Sequence, residues 1–492
     1  MSSYVTHHVG QYEHGFTLTV NDESYFLTSV MGLCQRSDVA PCGPDQTCAP
    51  PGAADEKETD MTATPRDPAG RRVVITGTGV ISPIGLTTRE FWDALVAGRS
   101  GIRVISRYDP DTLPTRFAGE VVDFDARTYM PNRVGRRLDR FAQFALAAAM
   151  QAVQEAGLTV TEDLAPRTAV VVGTGYGAGH FTRDAVLTLR DSGRRRMNAY
   201  FASAGSSDSA TVEIASWLGA RGPSGAMVAA CATGAMCIGD AMRLIRHGYA
   251  DVVVAGGSDD AVNPLDLATS ANIGALSRRT DRPERASRPF DRERDGFVMG
   301  AGAGVVVLEA EEHAIRRGAT VLGELAGYGV TTDAYHSTHP HPDGRDVRRA
   351  MTEALADAVL RPEDVDHISA HGTSTPLNDR IESGAIREVF GERAPAIPIS
   401  SVKSMTGHMI GAAGAVELIA ALQTVRTGVV PPTINCDDPE DPELDYVPHR
   451  ARRHDARVVI SNSFGFGGHN AVLVVREARG TDRVQENQGE EG

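Results

Sequence analysis

The chain has 492 residues, 41% of them hydrophobic and 23% charged. That is a folded, globular composition, long enough for two or three ordinary domains or one large duplicated one. A formal net charge of -15 argues against a sequence-independent grip on nucleic acid. No apolar run reaches the roughly 18 residues of a membrane span, and the first residues lack the basic start and apolar core of a secretory signal. A cytoplasmic protein with no nucleic-acid or membrane partner is expected.

Residues 1–70 mix Ser, Asp, Glu, Pro and Gly with scattered aromatics and read as a disordered extension. Met61 is a candidate alternative start. Cys34, Cys42 and Cys48 fall here without a C-x2-C pair or a nearby His, so no metal is expected of them. The remaining cysteines, Cys231, Cys237 and Cys436, are widely spaced, as in a reducing compartment.

From residue 71 onward, β-branched runs alternate with Ala-rich helical stretches. Val73-Val74-Ile75-Thr76 predicts a buried strand. The following Gly77-Thr78-Gly79-Val80-Ile81-Ser82 lacks the third glycine of a dinucleotide fingerprint and reads as a tight strand-to-loop turn. A helix is expected over Phe141–Glu155, a strand at Ala169–Val172, a helix over Ala235–Arg246 and strands at Val252–Ala255 and Val305–Leu308. Ile397–Ser400 (strand), Ala412–Arg426 (helix) and Val458–Ser461 (strand) complete the series. The alternation gives an α/β protein with helix-covered sheets. Residues 480–492 are polar and read as a flexible tail.

The chemistry concentrates in three turns. Cys231 lies in Ala229-Ala230-Cys231-Ala232-Thr233-Gly234-Ala235, where a Gly-bounded stretch enters a helix. A helix N-terminus lowers a thiol's pKa. His371 lies in Ala370-His371-Gly372-Thr373-Ser374-Thr375-Pro376. Lys403 and His408 share Lys403-Ser404-Met405-Thr406-Gly407-His408. A lone buried Cys is more often inert packing. One Cys with two His in Gly/Ser/Thr-rich turns is instead the inventory of a thiol acyl-transfer enzyme. The Cys falls in residues 71–318 and both His in 319–479. This division suggests two similar halves meeting at one site, although no sequence repeat is visible.

With these motifs in view, the chain resembles the β-ketoacyl-acyl carrier protein synthases of the thiolase fold, and most the elongating KAS II-like branch. The match runs from Arg72 to Val475. It includes Arg288-Pro289-Phe290-Asp291, Arg294-Asp295-Gly296-Phe297 and Asn462-Ser463-Phe464-Gly465-Phe466-Gly467-Gly468. The resemblance implies a dimer of five-layered αβαβα subunits with duplicated halves. It implies decarboxylative condensation of a Cys231-bound acyl chain with malonyl-acyl carrier protein, without cofactor or metal. His371 and His408 would then bind the malonyl thioester oxygen, and Lys403 would pair with Glu382. Thr373 and Thr375 would hold the carrier's phosphopantetheine arm. Phe464 would gate the acyl pocket, its N–H forming an oxyanion hole with that of Cys231. Arg194, Arg195 and Arg196 fall where similar enzymes dock their acidic carrier. His336, His339 and His341 fall in a loop near the tunnel mouth rather than at a metal.

Three positions depart from the family pattern: Ala301, where many members carry an acid; the polar Gly205-Ser206-Ser207-Asp208-Ser209; and His469, where many have Thr. Three readings remain: a homodimeric elongating synthase; the KSα subunit of a type II polyketide synthase, paired with a chain-length factor; or a non-catalytic chain-length-factor-like partner. Intact Cys231, His371 and His408 weigh against the last. A degradative thiolase would use a second Cys where this chain has His408.

Overall fold

The computed structural model describes residues 10–12, 15–20, 23–28 and 70–478. The chain divides into two units, Met1–Thr64 and Pro65–Gly492. In the first, Gly10–Tyr12, Gly15–Val20 and Glu23–Thr28 pair as an antiparallel meander. The rest of residues 1–69, with Cys34, Cys42, Cys48 and Met61, lies outside the described residues. So does the expected tail, 480–492.

The second unit is built on ten strands. They are β1 (Val73–Ile81), β2 (Thr168–Gly173), β3 (Ser224–Gly225), β4 (Val252–Asp260) and β5 (Ala301–Ala310). The others are β6 (Gly323–Thr332), β7 (His367–Ser369), β8 (Ile399–Ser400), β9 (Val458–Gly465) and β10 (His469–Arg476). Every residue of β1, β4 and β5 is buried. Burial on both faces is why these runs are continuously apolar rather than alternating.

The strand order is β8-β7-β9-β10-β6-β1-β5-β4-β2-β3. Outward from the β1–β6 junction, the first half reads 1-5-4-2-3 and the second 6-10-9-7-8. Pairing types repeat as well. The first two steps in each half are antiparallel and the last two parallel. The halves are therefore a structural duplication, invisible as a sequence repeat because the strands share only their burial.

Helix α1 (Arg140–Glu155) covers the outer face of the first half, and α3 (Arg345–Asp357) that of the second. Between the halves lie α2 (Thr233–Arg246) and α5 (Ala413–Thr427), each packed on strands of both. This is the five-layered αβαβα arrangement. α5 is buried continuously from Ala413 to Val425, as a helix apolar all round must be. α3 buries only Val347, Ala350, Met351, Ala354 and Leu355 along one face, besides Asp346. Among the described residues, no helix is long and apolar enough to cross a membrane.

The expected turn at Gly77–Ser82 is corrected: β1 runs on through Ile81. A Cβ on Gly77 would lie 2.0 Å from the Ala152 carbonyl oxygen, and one on Gly79 1.9 Å from that of Ala148. The glycines let α1 lie directly on the strand, so they mark close packing rather than a change of direction.

Candidate active site

Cys231 sits in a single 3-10 turn, Ala230–Ala232, which feeds α2. Ala230 has φ +47°, a region where a non-glycine residue is strained. The second half repeats the device: Ile410–Ala412 feeds α5, and Ile410 has φ +48°. Gly411 stands where Cys231 stands. The two turn–helix units pack back to back, with no room for side chains. A Cβ on Gly234 would lie 2.8 Å from the Gly411 carbonyl oxygen, and one on Gly414 2.9 Å from Ala235. This close approach delivers His408, three residues before Gly411, to the thiol. The His408 Nε2–Cys231 Sγ distance is 2.9 Å.

His371 follows β7. Its N–H and that of Gly372 each donate to the Glu382 carboxylate at 2.8 Å, and Asn462 Nδ2 donates at 3.0 Å. Glu382 lies on α4 (Pro376–Phe390). The His371 and His408 rings meet edge to face, centroids 5.4 Å apart. Behind them, buried Lys403 places Nζ 3.3 Å from His371 Nδ1 and forms an ion pair with Glu417 of α5. An ammonium can only donate, so His371 Nδ1 accepts and its own proton sits on Nε2. His408 Nδ1 has no partner among the described residues, and the ring is flanked by Phe297, 5.4 Å away edge-on. No hydrogen bond among the described residues therefore fixes its tautomer.

Burial governs the protonation states. It pushes the Cys231 thiol up to about 12, although Lys403 and the Phe466 N–H on the sulfur pull it down. Loss of water therefore opposes a resting thiolate, outweighing Lys403 and the Phe466 N–H. Burial, then Lys403, holds both imidazoles well below their ordinary range; both are neutral at pH 7. Glu417 is pushed up to about 7 by burial, against the pull of Lys403.

A cavity of about 500 Å³ is lined by Cys231, His371 and His408, among others. Thr373 and Thr375, their hydroxyls 2.9 Å apart, line it. So do Phe464 and Phe466, with half-exposed Ile273 and Leu377 also on the wall. A thiol beside a neutral imidazole, with a second imidazole N–H facing the same space, can exchange acyl groups and stabilise a thioester enolate.

Two family models match: the β-ketoacyl synthase N-terminal domain over residues 70–314 and the C-terminal domain over 322–437. The chain belongs to the β-ketoacyl synthase family. It is 46% identical to a 3-oxoacyl-[acyl-carrier-protein] synthase 2 of Synechocystis sp., over 83% of this chain and 98% of the relative. For the Vibrio harveyi protein of that name the identity is 44%, over 83% and 99%. Among solved structures, it resembles the ishigamide ketosynthase/chain length factor at TM-score 0.77 and 38% identity, covering 83% of this chain and 100% of that one. It also resembles a type II PKS acyl-carrier protein in complex with its ketosynthase bound to the hexaketide, at TM-score 0.76 and 35% identity, with the same coverage.

Within this β-ketoacyl synthase, the structure gathers Cys231, His371, His408, Lys403, Thr373 and Thr375 into one site. One expected partnership is corrected. Lys403 pairs with Glu417, not Glu382, whose oxygens accept from two backbone N–H groups and Asn462. The Phe466 N–H reaches the sulfur. Phe464 lies within β9, opposite Asn470 of β10, and turns its ring toward His371, 5.7 Å away. The sequence did hold a signal for Glu417, the one charge within the apolar stretch Ala413–Val425.

Arg194, Arg195 and Arg196 form an exposed turn and do not line the cavity. Thr338 and His339 do line it. The three loop histidines do not converge: His336 stacks on His339 with centroids 4.5 Å apart, while His341 Nδ1 lies 2.7 Å from Asp343. Among the described residues, only Cys231, His371 and His408 bring potential metal ligands together. The proton that Lys403 leaves on His371 Nε2 opposes a metal there. Ala301 is buried in β5, and Ser206 hydrogen-bonds Asp208.

Proposed function

We propose that this β-ketoacyl synthase is a 3-oxoacyl-acyl carrier protein synthase that extends a Cys231-bound acyl chain by two carbons from malonyl-carrier protein. The observation that carries this is the 2.9 Å contact between Cys231 Sγ and His408 Nε2, on the wall of a cavity that His371 also lines.

The thiol is poised rather than ionised, so attack on the acyl thioester passes its proton to His408 Nε2. The Cys231 C–S bond forms, the carrier's breaks, and the proton moves on to the leaving carrier sulfur. The N–H groups of Cys231 and Phe466 hold the oxyanion. For the malonyl thioester, His371 Nε2–H and His408 Nε2–H donate to the carbonyl oxygen. The bond to the carboxylate breaks, CO2 leaves, and the electron pair becomes the enolate. Its carbon attacks the Cys231 thioester, a C–C bond forms, the C–S bond breaks, and the thiolate takes a proton from water.

Lys403 fixes the His371 tautomer, and Glu417 neutralises Lys403. Glu382 fixes the His371 backbone. Thr373 and Thr375 bind the phosphopantetheine arm, Phe464 and Phe466 gate the acyl end, and Arg194, Arg195 and Arg196 dock the acidic carrier. No cofactor and no metal take part, and the reaction is cytoplasmic. The chain works as a dimer. A homodimer in fatty-acid-like elongation is favoured by the identity to 3-oxoacyl-carrier protein synthases. A KSα role beside a chain-length factor is favoured by the fold similarity to the ishigamide pair.

Intact-protein mass spectrometry tests the reading. The protein is incubated with a panel of acyl-carrier proteins, then with malonyl-carrier protein, alongside Cys231→Ala. Acyl adducts on the wild type alone, discharged as chains two carbons longer, are expected. Adducts on Cys231→Ala overturn the assignment of the nucleophile. Discharge only with a co-expressed ketosynthase homologue selects the KSα reading.

A further inference from the structure

Asp259, one residue from the end of β4, is fully buried. Its carboxylate accepts four hydrogen bonds, none from a charged side chain. Thr174 Oγ1 and Tyr176 N–H donate to Oδ1 at 2.7 and 3.1 Å. Gly175 N–H and Gly411 N–H donate to Oδ2 at 2.8 and 2.7 Å. Leaving a charged group in the core without a cation is costly unless donors satisfy it. Here the donors come from two separate loops, and both end at the catalytic pair.

Gly411 closes the turn that begins at His408 and passes through Ile410 at φ +48°. Upstream, His408 is held by strand-like bonds: its N–H donates to Val298 at 2.7 Å, and its carbonyl accepts from Gly300 at 2.8 Å. Downstream, the strained Ile410–Gly411 step has the Asp259 carboxylate. The other loop, Thr174–Tyr176, walls the cavity and abuts the residue before the thiol. A Cβ on Gly175 would lie 2.7 Å from Ile410 Cγ2 and 3.0 Å from the Ala230 carbonyl oxygen. One carboxylate therefore joins the His408 turn to the loop that backs Cys231.

The duplication sharpens the point. Gly411 occupies the place of Cys231 in the second half, and its N–H corresponds to that of Cys231. In this half the equivalent N–H is filled permanently by Asp259. The second turn has no reacting group to bind and acts as a fixed abutment instead.

We propose that Asp259 is a positioning residue that locks the His408 turn to the Thr174–Tyr176 loop and so sets the Cys231–His408 alignment. The consequence for turnover rests on the condensing function proposed above; the consequence for the thiol does not. Asn at this position keeps the volume but offers one acceptor atom and a donating amide. At least one N–H or O–H then faces another donor. A shift approaching 1 Å in a catalytic contact costs about 100-fold in rate.

The test uses the full chain, with Asp259→Asn, Thr174→Val and Thr174→Ser. Asp259→Asn is expected to lower kcat about 10- to 100-fold, with KM for malonyl-carrier protein within about twofold. Alkylation of Cys231 by iodoacetamide, read by peptide mass, slows in parallel. Thr174→Ser, which keeps the hydroxyl, stays near wild type, and Thr174→Val falls between. Wild-type kcat and wild-type alkylation in Asp259→Asn overturn the proposal. If that variant does not fold, equal alkylation rates for Thr174→Val and Thr174→Ser overturn it. A wild type that turns over no acyl-carrier protein defeats the condensing function, and the alkylation comparison still decides the role of Asp259.

Discussion

At Ala230 the backbone turns with φ +47° and enters α2; at Ile410 it turns with φ +48° and enters α5. After the first turn comes a thiol facing a cavity, and after the second a glycine whose N–H is closed off by Asp259. On the proposed reading, the duplicated fold supplies two equivalent places for a nucleophile and uses one. The other half contributes what surrounds the nucleophile: His371, His408, Lys403 and Glu417. Division of labour between repeats lets one half hold the reacting atom while the other sets its electrostatics, because both turns meet at the same two glycines, Gly234 and Gly414.

The largest effect comes from removing the asymmetry on the catalytic side. Cys231→Ala should abolish condensation by about 10⁴-fold or more, as loss of a nucleophile does in comparable systems. Forcing the asymmetry the other way should fail. A Cβ on Gly411 would lie 2.5 Å from Gly175 N and 2.6 Å from Asp259 Oδ2. Gly411→Cys should therefore give a destabilised protein with no second reactive thiol, measured by thermal melting and thiol titration.

The two histidines come next. His371→Ala and His408→Ala should each slow malonyl decarboxylation by about 100- to 1,000-fold, the cost of one donor at a developing oxyanion. Only His408→Ala should also slow acyl loading, since only His408 touches the sulfur. Stopped assays of loading without malonyl-carrier protein separate the two. Equal loading defects would break the assignment.

Lys403→Met leaves Glu417 unpaired in the core and should cost about 3–5 kcal/mol of stability, read by denaturant unfolding. Lys403→Met with Glu417→Gln should recover most of the stability while activity stays low. If activity returned too, Lys403 would be merely structural.

The smallest effect is with pH. Burial lowers the folded-state pKa of His371 and His408 below the unfolded value near 6.5, and that of His367 to about 4. Below pH 6.5 the unfolded chain binds protons the folded chain refuses. Stability from these groups is full above pH 6.5 and is lost as pH falls toward 4. Glu417, raised to about 7, and Asp259, raised to about 6, work the other way, so the change in melting temperature between pH 7 and pH 5 should be less downward in the His371→Ala/His408→Ala double variant than in the wild type. An unchanged slope in that variant would leave His367 as the source.

Local pattern in the sequence identified six of the ten strands, the central helices and the three reactive turns, because burial and turn chemistry are written residue by residue. Strong β-branched runs marked β1, β2, β4, β5, β8 and β9. β6 went unread because Gly323, Gly327 and Gly329 interrupt it; a Cβ on Gly327 or Gly329 would strike the Ala354 or Ala350 carbonyl of α3. Gly77 and Gly79 misled in the same way, since a glycine for close packing looks like a glycine for a turn. Motifs named Cys231, His371, His408 and Lys403.

Only the tertiary structure decided which groups touch. Glu417 rather than Glu382 faces Lys403, since Glu382 is saturated by backbone N–H groups that no sequence displays. Phe466 aims its N–H at the sulfur, since that depends on where β9 ends. The thiol is neutral at rest because burial, a property of the whole fold, outweighs the pull of Lys403 and the Phe466 N–H.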